Sequence, residues 1–438
     1  MSAPRDLPRR VVVAGAGQLG ALTALALRRA LPGTEVVVIG TPPDPAALAD
    51  RAATALPFTN RLHDRLGIDE DVLVRRAGAS HRLVVRYRGW AGPGSVGLAP
   101  YGAAIDPALK TAFAKEWGGG PRNAATGRAA GSVGEVLAAA GRFAPPSGEP
   151  GSPLADLDYA LRWNVAGYRD VLIEQAQQLG VRYAAGRIAG VKGDGAGGAA
   201  AVAVEGVGEI PADLFIDCTG PAALLLSALP MAQRTDWSAL LPVRQLHFAR
   251  PGEPMVALED RVTLMDGGWL AEVAGRDGCA ALLACAGGWD GAAVSGALGG
   301  EPAASIALSP GRAAQPWLGN VVALGDAAAV FEPLGWLNLD LAHRQLALLL
   351  ELLPGRTPDP RERDEFNRRA GLMADRARDW VAAHYAAPAV GGALMPQERS
   401  PELALALDQF TRRARLPFFE EMPMLVQEWF EVLQALGI

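Results

Sequence analysis

Three glycines close to the N-terminus constrain the fold of this chain more than any other feature. Gly15, Gly17 and Gly20 form a G-x-G-x-x-G pattern between the apolar run RRVVVAGAG and a helix-like segment from Gln18 to Leu31. The apolar run GTEVVVIG follows, so the pattern predicts a strand–helix–strand unit. In such units the glycines permit a sharp turn, let backbone approach a pyrophosphate, and let helix and strand pack closely. We therefore expect an α/β, Rossmann-like fold that binds a dinucleotide at a helix N-terminus.

The end of the second predicted strand departs from this pattern. Gly40 stands where an acidic side chain would accept hydrogen bonds from the adenosine ribose, and glycine has no side chain to do so. Thr41 and Asp44 are the two candidates to replace that acid. The sequence therefore leaves the ribose contact open, although it keeps the phosphate-binding glycines.

Two later segments favour a flavin over a nicotinamide. ADLFIDCTG (212–220) predicts a buried strand ending in a glycine turn, and GNVVALGDAAAVFEPLGWLNLDLA (319–342) predicts a strand, a loop and a long helix. Its Gly-Asp pair matches an FAD fingerprint in which the aspartate binds the ribityl chain and a helix N-terminus lies beside the isoalloxazine. A Gly-Asp turn capping an ordinary helix is the alternative. The predicted cofactor-binding residues are Gly15, Gly17, Gly20, Thr41, Gly220, Gly325, Asp326, Pro333, Gly335 and Asn338.

The composition limits the classes of partner and the cellular compartment that are expected for this protein. The 438 residues carry a net charge of −6, with no basic tract interleaved with aromatics, so no nucleic-acid partner is expected. Three cysteines, Cys218, Cys279 and Cys285, are too few and too poorly spaced for a disulfide framework or a zinc site. The longest apolar run, LALLLELLP, is too short to cross a bilayer, and no apolar signal core precedes the first strand. We expect a cytoplasmic protein without a metal and without membrane contact.

The order of these segments predicts three regions: a discontinuous FAD-binding domain, a substrate-side β region and a mostly helical C-terminal region. Their predicted boundaries are 1–115, 155–235 and 310–355 for the first, 80–150 and 236–310 for the second, and 356–438 for the third. Residues 117–153 are rich in Gly, Ala, Pro and Ser, which predicts a long surface excursion.

The chain resembles the flavin-dependent tryptophan halogenase family, a branch of the p-hydroxybenzoate-hydroxylase-like flavoproteins, nearly from end to end. Besides the segments above, LPFTNRLHDRLGIDEDVLVRRAGASHRLVVRYRGW (56–90) and LRWNVAGYRDVLIEQAQQLGV (161–181) carry the likeness. The tail segments DRARDWVAAHYAAP (375–388) and WFEVLQALGI (429–438) are its most family-specific pieces. The resemblance implies an FAD-binding domain of this type, and it raises a homodimer as an expectation.

The resemblance also implies a chemistry. In this family a separate flavin reductase supplies reduced FAD, which reacts with oxygen, and halide attacks the resulting hydroperoxide. Hypohalous acid then crosses a tunnel to a lysine beside the aromatic substrate, where a glutamate assists. Such a reaction needs a cation or donor that holds the oxidant and a carboxylate that takes the substrate proton.

The two catalytic positions of the family are altered in this chain. Counting back from Trp90 places Arg82 at the lysine position, with His81 beside it. Arginine holds an anion but is always charged, so it does not readily form a chloramine-like adduct. Gly335 stands at the glutamate position, and Glu332 belongs to the preceding turn.

Two further family signatures are altered. In the W-x-W-x-I-P signature Trp269 is kept, whereas Ala271 and Ala274 replace the second tryptophan and the proline. The resemblance implies that this signature keeps the substrate away from the flavin and suppresses hydroxylation. Ala52 and Ala53 replace a Gly-Glu pair near the flavin. We therefore expect a divergent member that lacks most of the halogenation machinery.

Three functional hypotheses follow from these observations. The first is an FAD-dependent oxygenase that oxidises an aromatic or indole-like substrate, because hydroxylation by a flavin hydroperoxide needs no lysine. The second is a true halogenase whose catalytic residues lie elsewhere in the fold. The third is a non-catalytic paralogue that binds a ligand, which Gly40, Ala52 and Ala53 favour and Asp326 opposes.

The candidate site residues each have a structural alternative. The catalytic candidates are Arg82, His81 and Glu332, with His247 as a further polar residue near the predicted pocket; Trp269, Trp336 and Trp163 are its aromatic candidates. For His247 the alternative is a partly buried strand histidine, for Arg82 an outward-facing strand charge, and for each tryptophan a place in the core.

Overall fold

The computed structural model describes residues 6–102, 132–149, 152–155 and 157–438. Its N-terminal part contains the predicted strand–helix–strand unit, β1 (Arg10–Ala14), α1 (Gln18–Ala30) and β2 (Glu35–Ile39). The two strands are parallel and almost fully buried, as their valine-rich sequences indicate. Gly15 joins β1 to α1 at φ +108°, in the region where glycine is favoured over other residues.

The remaining regular elements of the described residues fall into helices concentrated in the C-terminal part and strands concentrated in the middle. The helices are α2 (Leu48–Arg51), α3 (Phe58–Arg65), α4 (Glu70–Arg76), α5 (Val133–Ala140), α6 (Val165–Gln178), α7 (Gly291–Leu298), α8 (Leu337–Glu351), α9 (Pro360–His384), α10 (Pro401–Arg413) and α11 (Val426–Ala435). Short 3-10 turns lie at Gly325–Ala327, Leu334–Trp336 and Gly392–Leu394.

The strands are β3 (Ser80–Arg82), β4 (Val84–Arg88), β5 (Val96–Pro100), β6 (Ala160–Arg162), β7 (Arg182–Ala184), β8 (Ile188–Gly193), β9 (Ala199–Val204), β10 (Gly208–Pro211), β11 (Leu214–Asp217), β12 (Arg234–Asp236), β13 (Gln245–Phe248), β14 (Glu259–Met265), β15 (Gly268–Val273), β16 (Ala280–Cys285), β17 (Ala304–Ala307), β18 (Gly311–Ala313), β19 (Trp317–Leu318), β20 (Val321–Ala323) and β21 (Ala329–Val330).

Two large sheets organise the molecule. A six-stranded sheet has the order β19-β20-β11-β1-β2-β7, and its strands are parallel except for β19. A seven-stranded sheet has the order β17-β13-β16-β15-β14-β4-β5 and is antiparallel except where β14 pairs with β4. This arrangement confirms the predicted α/β class with a Rossmann-like sheet, a β region and a helical C-terminal part. The domain boundaries given above remain a prediction.

Two expectations about local structure are wrong. The sequence HRLVVRYRGW (81–90) predicts one strand, but this segment forms two strands in different sheets, because β3 pairs with β6 while β4 joins the seven-stranded sheet. Within 117–153, α5 is a helix rather than part of a surface excursion, since Ser132 caps it and its apolar face packs against Leu83 and Val84. Residues 117–131 lie outside the described residues.

The described residues contain neither a candidate membrane-spanning helix nor a candidate metal-binding cluster. No helix there is long and apolar enough to cross a membrane. Likewise, the described part of the chain holds no group of three or more His, Cys, Asp or Glu residues arranged to bind a metal ion.

Candidate functional site

The N-terminus of α1 is occupied by a side chain of the protein itself. Asp50, on the short helix α2, accepts a hydrogen bond of 3.0 Å from the backbone amide of Leu19. A methyl carbon added to Gly17 would lie 2.1 Å from the Asp50 carboxyl carbon. The predicted roles of Gly15 and Gly20 also have a geometric basis, since added methyl groups would strike Cys218 O at 2.4 Å and Gly15 O at 2.0 Å. The glycine cradle therefore holds a carboxylate where a phosphate was predicted.

Gln18, the first residue of α1, fixes α2 over this cradle. Its side-chain amide donates hydrogen bonds to the carbonyls of Ala49 (2.6 Å) and Ala52 (2.9 Å). Its side-chain oxygen accepts a third from the indole nitrogen of Trp163, at 3.0 Å. Because the whole cluster is buried, each of these bonds replaces contact with water. Trp163, a predicted pocket residue, therefore contacts the cradle through Gln18.

Asp326, the predicted ribityl-binding residue, lies on the other side of α2. Its Oδ2 accepts a hydrogen bond of 2.7 Å from the amide of Ala49, and its Oδ1 has no partner among the described residues. Burial raises the pKa of Asp326 to about 8, and the nearby charge of Asp50 adds to that rise. Burial likewise raises the pKa of Asp50 to about 6. Two carboxyl groups thus share one water-excluded site.

At the ribose end of the predicted dinucleotide site, the side chains likewise form hydrogen bonds with the protein itself. The Thr41 hydroxyl donates to the carbonyl of Gly186 at 3.2 Å, and Asp44 accepts the amide of Ala46 at 2.7 Å. A methyl group on Gly220 would lie 2.9 Å from the Ala47 side chain. The segment from Asp44 to Arg51 therefore covers the cleft from its ribose end to its phosphate end.

A dinucleotide does not fit this arrangement. The backbone turn, the free edge of Asp326 and the helix N-terminus suit a flavin nucleotide, but Asp50 fills the volume that a pyrophosphate needs. The residues that would hold FAD are therefore present, and Asp50 lies where its pyrophosphate would bind.

Arg82, a catalytic candidate, is buried in an ion-pair network. Its guanidinium donates to Asp260 at 3.0 Å, and Arg162 donates to the other oxygen of the same carboxylate at 3.0 Å. Arg82 also donates to the carbonyl of Ala55 at 3.2 Å. The alternative of an outward-facing strand charge is wrong, because Arg82 has no exposed surface. These contacts are typical of a buried arginine that stabilises the fold.

The two histidine candidates lie away from the cradle. His81 Nε2 is 2.8 Å from Glu70 Oε1, and its ring stacks on Phe143 with centroids 3.6 Å apart. His247, on β13, is 2.8 Å from the Ser305 hydroxyl, and burial lowers its pKa. His247 therefore matches the partly buried strand histidine that was its structural alternative.

Glu332 and Trp269 meet through a residue that the sequence analysis did not select. Trp269 Nε1 donates to the Tyr385 hydroxyl at 3.1 Å, and that hydroxyl donates to Glu332 Oε1 at 2.8 Å. Burial raises the pKa of Glu332 to about 7, and its Oε2 has no partner within the described part of the chain. The three side chains form a continuous buried hydrogen-bonded chain between β15, the Glu-Pro-Leu turn and the residue after α9.

The turn after Glu332 leads into α8 through a sharp bend. Gly335 and Trp336 both have positive φ, +69° and +63°, which is uncommon for a residue other than glycine. A methyl group on Gly335 would lie 2.2 Å from the Trp380 ring. Asn338 donates to the carbonyl of Phe331 at 2.9 Å and so fastens the first turn of α8 to the residue that follows β21. The Trp380 ring therefore occupies the space that a side chain at position 335 would need.

A small cavity lies beside Gly335 and Trp380. Its volume is about 20 Å³, which is room for one water molecule. The walls are mostly apolar or aromatic, with one carboxyl group, and include Leu56, Tyr87, Tyr101, Trp380, Met424 and Glu428. A larger groove of about 460 Å³ lies between α3, α8 and α9. A third cavity shares Phe58 and Arg344 with this groove and Met424 with the small cavity.

Several of these residues were not selected from the sequence. Asp50 and Asp260 come from segments that no quoted motif marks. Trp380 and Tyr385 lie in the family-specific segment 375–388, but neither was selected as a site residue. The sequence does limit the candidates for a catalytic lysine, because the chain contains only three lysines: Lys110, Lys115 and Lys192.

Comparison with known proteins gives a consistent result. The family model for tryptophan halogenase matches residues 10–438. Tryptophan 7-halogenase RebH from Lentzea aerocolonigenes is 26% identical over 415 residues, which are 86% of this chain and 76% of that protein. Tryptophan 7-halogenase KtzQ from Kutzneria sp. (strain 744) is 27% identical over 420 residues, with the same coverage of 86% and 76%.

The solved structures that resemble this chain agree with that result. BrvH, a flavin-dependent halogenase from Brevundimonas sp. BAL3, matches with a TM-score of 0.85 and 25% identity, covering 100% of this chain and 91% of that one. Xcc4156, a flavin-dependent halogenase from Xanthomonas campestris, has the same fold, with a TM-score of 0.84, 22% identity and coverage of 99% and 89%.

Proposed function

The chain belongs to the tryptophan halogenase family, and we propose that it oxidises an aromatic or indole-like substrate with reduced FAD and oxygen, as an oxygenase on the halogenase scaffold. Flavin-dependent halogenases use FAD that a separate flavin reductase reduces, and the same supply is proposed here. The observation that carries the proposal is the lining of the cavity beside Gly335: among the described residues that form it there is no lysine, and Glu428 is the one acidic side chain.

The distribution of lysines argues against halogen transfer through a lysine. Lys192 is on the outer hairpin strand β8, where its ammonium group pairs with Glu209 at 3.0 Å and 61% of its side chain is exposed. Lys110 and Lys115 lie outside the described residues. Halogenation through a lysine would therefore require one of these two residues, whereas oxygen transfer requires neither.

Proton transfer in such a reaction needs a carboxyl group that changes its protonation state near neutral pH. Glu332 meets this need, because burial raises its pKa to about 7 and one of its oxygens has no partner within the described residues. Tyr385 holds the other oxygen and fixes the orientation of the carboxyl group. We assign Glu332 the role of proton acceptor and Tyr385 a positioning role.

We infer the substrate class from the groove between α3, α8 and α9. It has an apolar floor that includes Phe58, Leu62 and Met373, and arginines at its rim. Arg344 lies over the Phe58 ring, 4.4 Å from its centroid. A flat aromatic molecule suits this surface, since an apolar body packs on the floor and an electron-rich ring faces the guanidinium.

Halogenation is the second candidate. It is favoured by the family match over residues 10–438 and by the similarity to flavin-dependent halogenases. In that case Lys110 or Lys115 carries the halogen. Changing both lysines to alanine then tests whether halogenation depends on them.

Product mass distinguishes the two candidates. The purified protein is supplied with FAD, a flavin reductase, NADH, oxygen and bromide, and is given a panel of indoles and phenols. The proposal predicts products that gain oxygen, with equal yield when bromide is omitted and when Lys110 and Lys115 are both changed to alanine. A brominated product that depends on bromide and on those lysines would replace oxygenation by halogenation. No product with any substrate, from a protein that binds FAD, would contradict both.

A further inference from the structure

We propose that Asp50 is an internal competitor of the cofactor: its carboxylate occupies the pyrophosphate position at the N-terminus of α1, and a nucleoside diphosphate binds only when α2 leaves that position. The inference rests on the proposed use of FAD, and it adds a residue that sets how tightly the nucleotide binds.

The first observation is the identity of the group in the cradle. A helix N-terminus with exposed amides attracts anions, because the unsatisfied N–H groups carry a partial positive charge. Here the anion is the Asp50 carboxylate, bonded to Leu19 at 3.0 Å and packed against the bare α-carbon of Gly17. The carboxylate thus uses the same backbone amide and the same glycine that a phosphate would use.

The second observation comes from Asp326, which is independent of α1. It is 3% exposed, and its Oδ1 has no hydrogen-bond partner among the residues that the structure describes. A buried carboxyl oxygen without a donor is costly, and the hydroxyl groups of a ribityl chain would satisfy it. The cleft therefore contains a buried acceptor atom that a polar ligand could satisfy, next to the position that Asp50 occupies.

The third observation is the way α2 is attached. It has four residues, and the segment before it, TPPDPAA (41–47), forms no helix or strand. Gln18 holds it by two hydrogen bonds to Ala49 and Ala52, and Asp326 holds it by one to Ala49. Apart from Arg51, which donates to the carbonyl of Pro45 and lies over the Phe248 ring, the polar contacts that hold α2 involve residues of the cleft, so a ligand that binds these residues competes with α2.

The competition makes a quantitative prediction for nucleotide affinity. The Asp50 carboxylate repels a pyrophosphate and must give up a charge-assisted hydrogen bond before one binds. Replacing the carboxylate by an amide removes the charge and weakens that bond, so Asp50→Asn is expected to bind FAD about tenfold more tightly than the wild type. Asp50→Ala, which also clears the volume, is expected to bind at least as tightly as Asp50→Asn.

The 438-residue protein is titrated with FAD and, separately, with ADP. Isothermal titration calorimetry measures the affinity for each nucleotide. The variants are Asp50→Asn, Asp50→Ala and, as a control, Asp71→Asn, which removes a carboxylate on α4 that is 82% exposed. Asp71→Asn is expected to match the wild type. Thermal melting of each variant verifies that it is folded.

Each outcome decides a different point. Equal FAD affinity in the wild type and in folded Asp50→Asn, or weaker binding by the variant, would overturn the role of Asp50. Tighter ADP binding by Asp50→Asn without any FAD binding would support the competition and overturn the proposed use of FAD. If no protein binds either nucleotide, both proposals fail.

Discussion

The carboxylate of Asp50 lies 3.0 Å from the amide nitrogen of Leu19, at the turn where a dinucleotide fold holds phosphate. The cavity beside Gly335 is at the same time only about 20 Å³. The protein's own side chains therefore occupy both the cofactor cradle and most of the space beside Gly335.

FAD affinity is expected to rise as the pH falls from about 8 to about 5. Burial raises the pKa of Asp50 to about 6, so below that pH the carboxyl group is neutral and no longer repels the pyrophosphate, which stays anionic. Arg169 faces Asp50 and lowers the pKa of that carboxyl group, whereas burial raises the pKa of Asp326 to about 8. Calorimetric titrations of the wild type and Asp50→Asn at several pH values test this. Asp50→Asn should lack the slope below pH 7; an identical slope would assign it to another group.

Asp260→Asn is expected to destabilise the protein by about 3–5 kcal/mol, because it leaves Arg82 and Arg162 buried without their shared counter-charge. Urea denaturation measures the change. The control is Asp71→Asn, whose partner Arg75 is 3.9 Å away and largely exposed, and which should cost less than about 1 kcal/mol. Equal stability of the two variants would mean that the buried network does not hold Arg82, and Arg82 would return as a catalytic candidate.

Gly335→Ala is expected to lower the stability by about 2 kcal/mol or more, since alanine at φ +69° is strained and its methyl group would strike the Trp380 ring. Gly296→Ala is the matched control, because Gly296 is inside α7 with no atom within 4 Å of the added methyl group. That change should stabilise by up to about 1 kcal/mol. If Gly335→Ala melts at the wild-type temperature, position 335 has room for a side chain and the assignment of Trp380 is wrong.

Tyr385→Phe is expected to cost about 1–3 kcal/mol of stability, because Glu332 and Trp269 lose their common hydroxyl partner in the core. The pKa of Glu332 should rise further, since the hydrogen bond from Tyr385 lowers it. Any activity that uses Glu332 as a base should then reach its plateau at higher pH. Tyr183→Phe is the control, because the Tyr183 hydroxyl is buried without a partner among the described residues. An unchanged pH profile in Tyr385→Phe would remove its positioning role.

The fold and the family could be predicted from the sequence because their signals are local. The glycines, the flanking valine runs and the Gly325-Asp326 turn lie within short segments, and the structure and the family match confirm the class they indicate. The contents of the site could not be predicted in the same way. Asp50 is 31 residues from Leu19, and Asp260 is 178 residues from Arg82, so only the folded chain reveals that these groups meet.

The clearest single test is a pair of crystal structures of the wild-type protein, grown with and without FAD. Without FAD, the Asp50 carboxylate should accept the Leu19 amide. With FAD, the pyrophosphate should lie within about 3.2 Å of the amides that begin α1, and α2 should have moved out of the cleft. An FAD complex in which the bond between Asp50 and Leu19 is intact, or a ligand-free structure in which Asp50 faces solvent, would contradict the competition between the carboxylate and the cofactor.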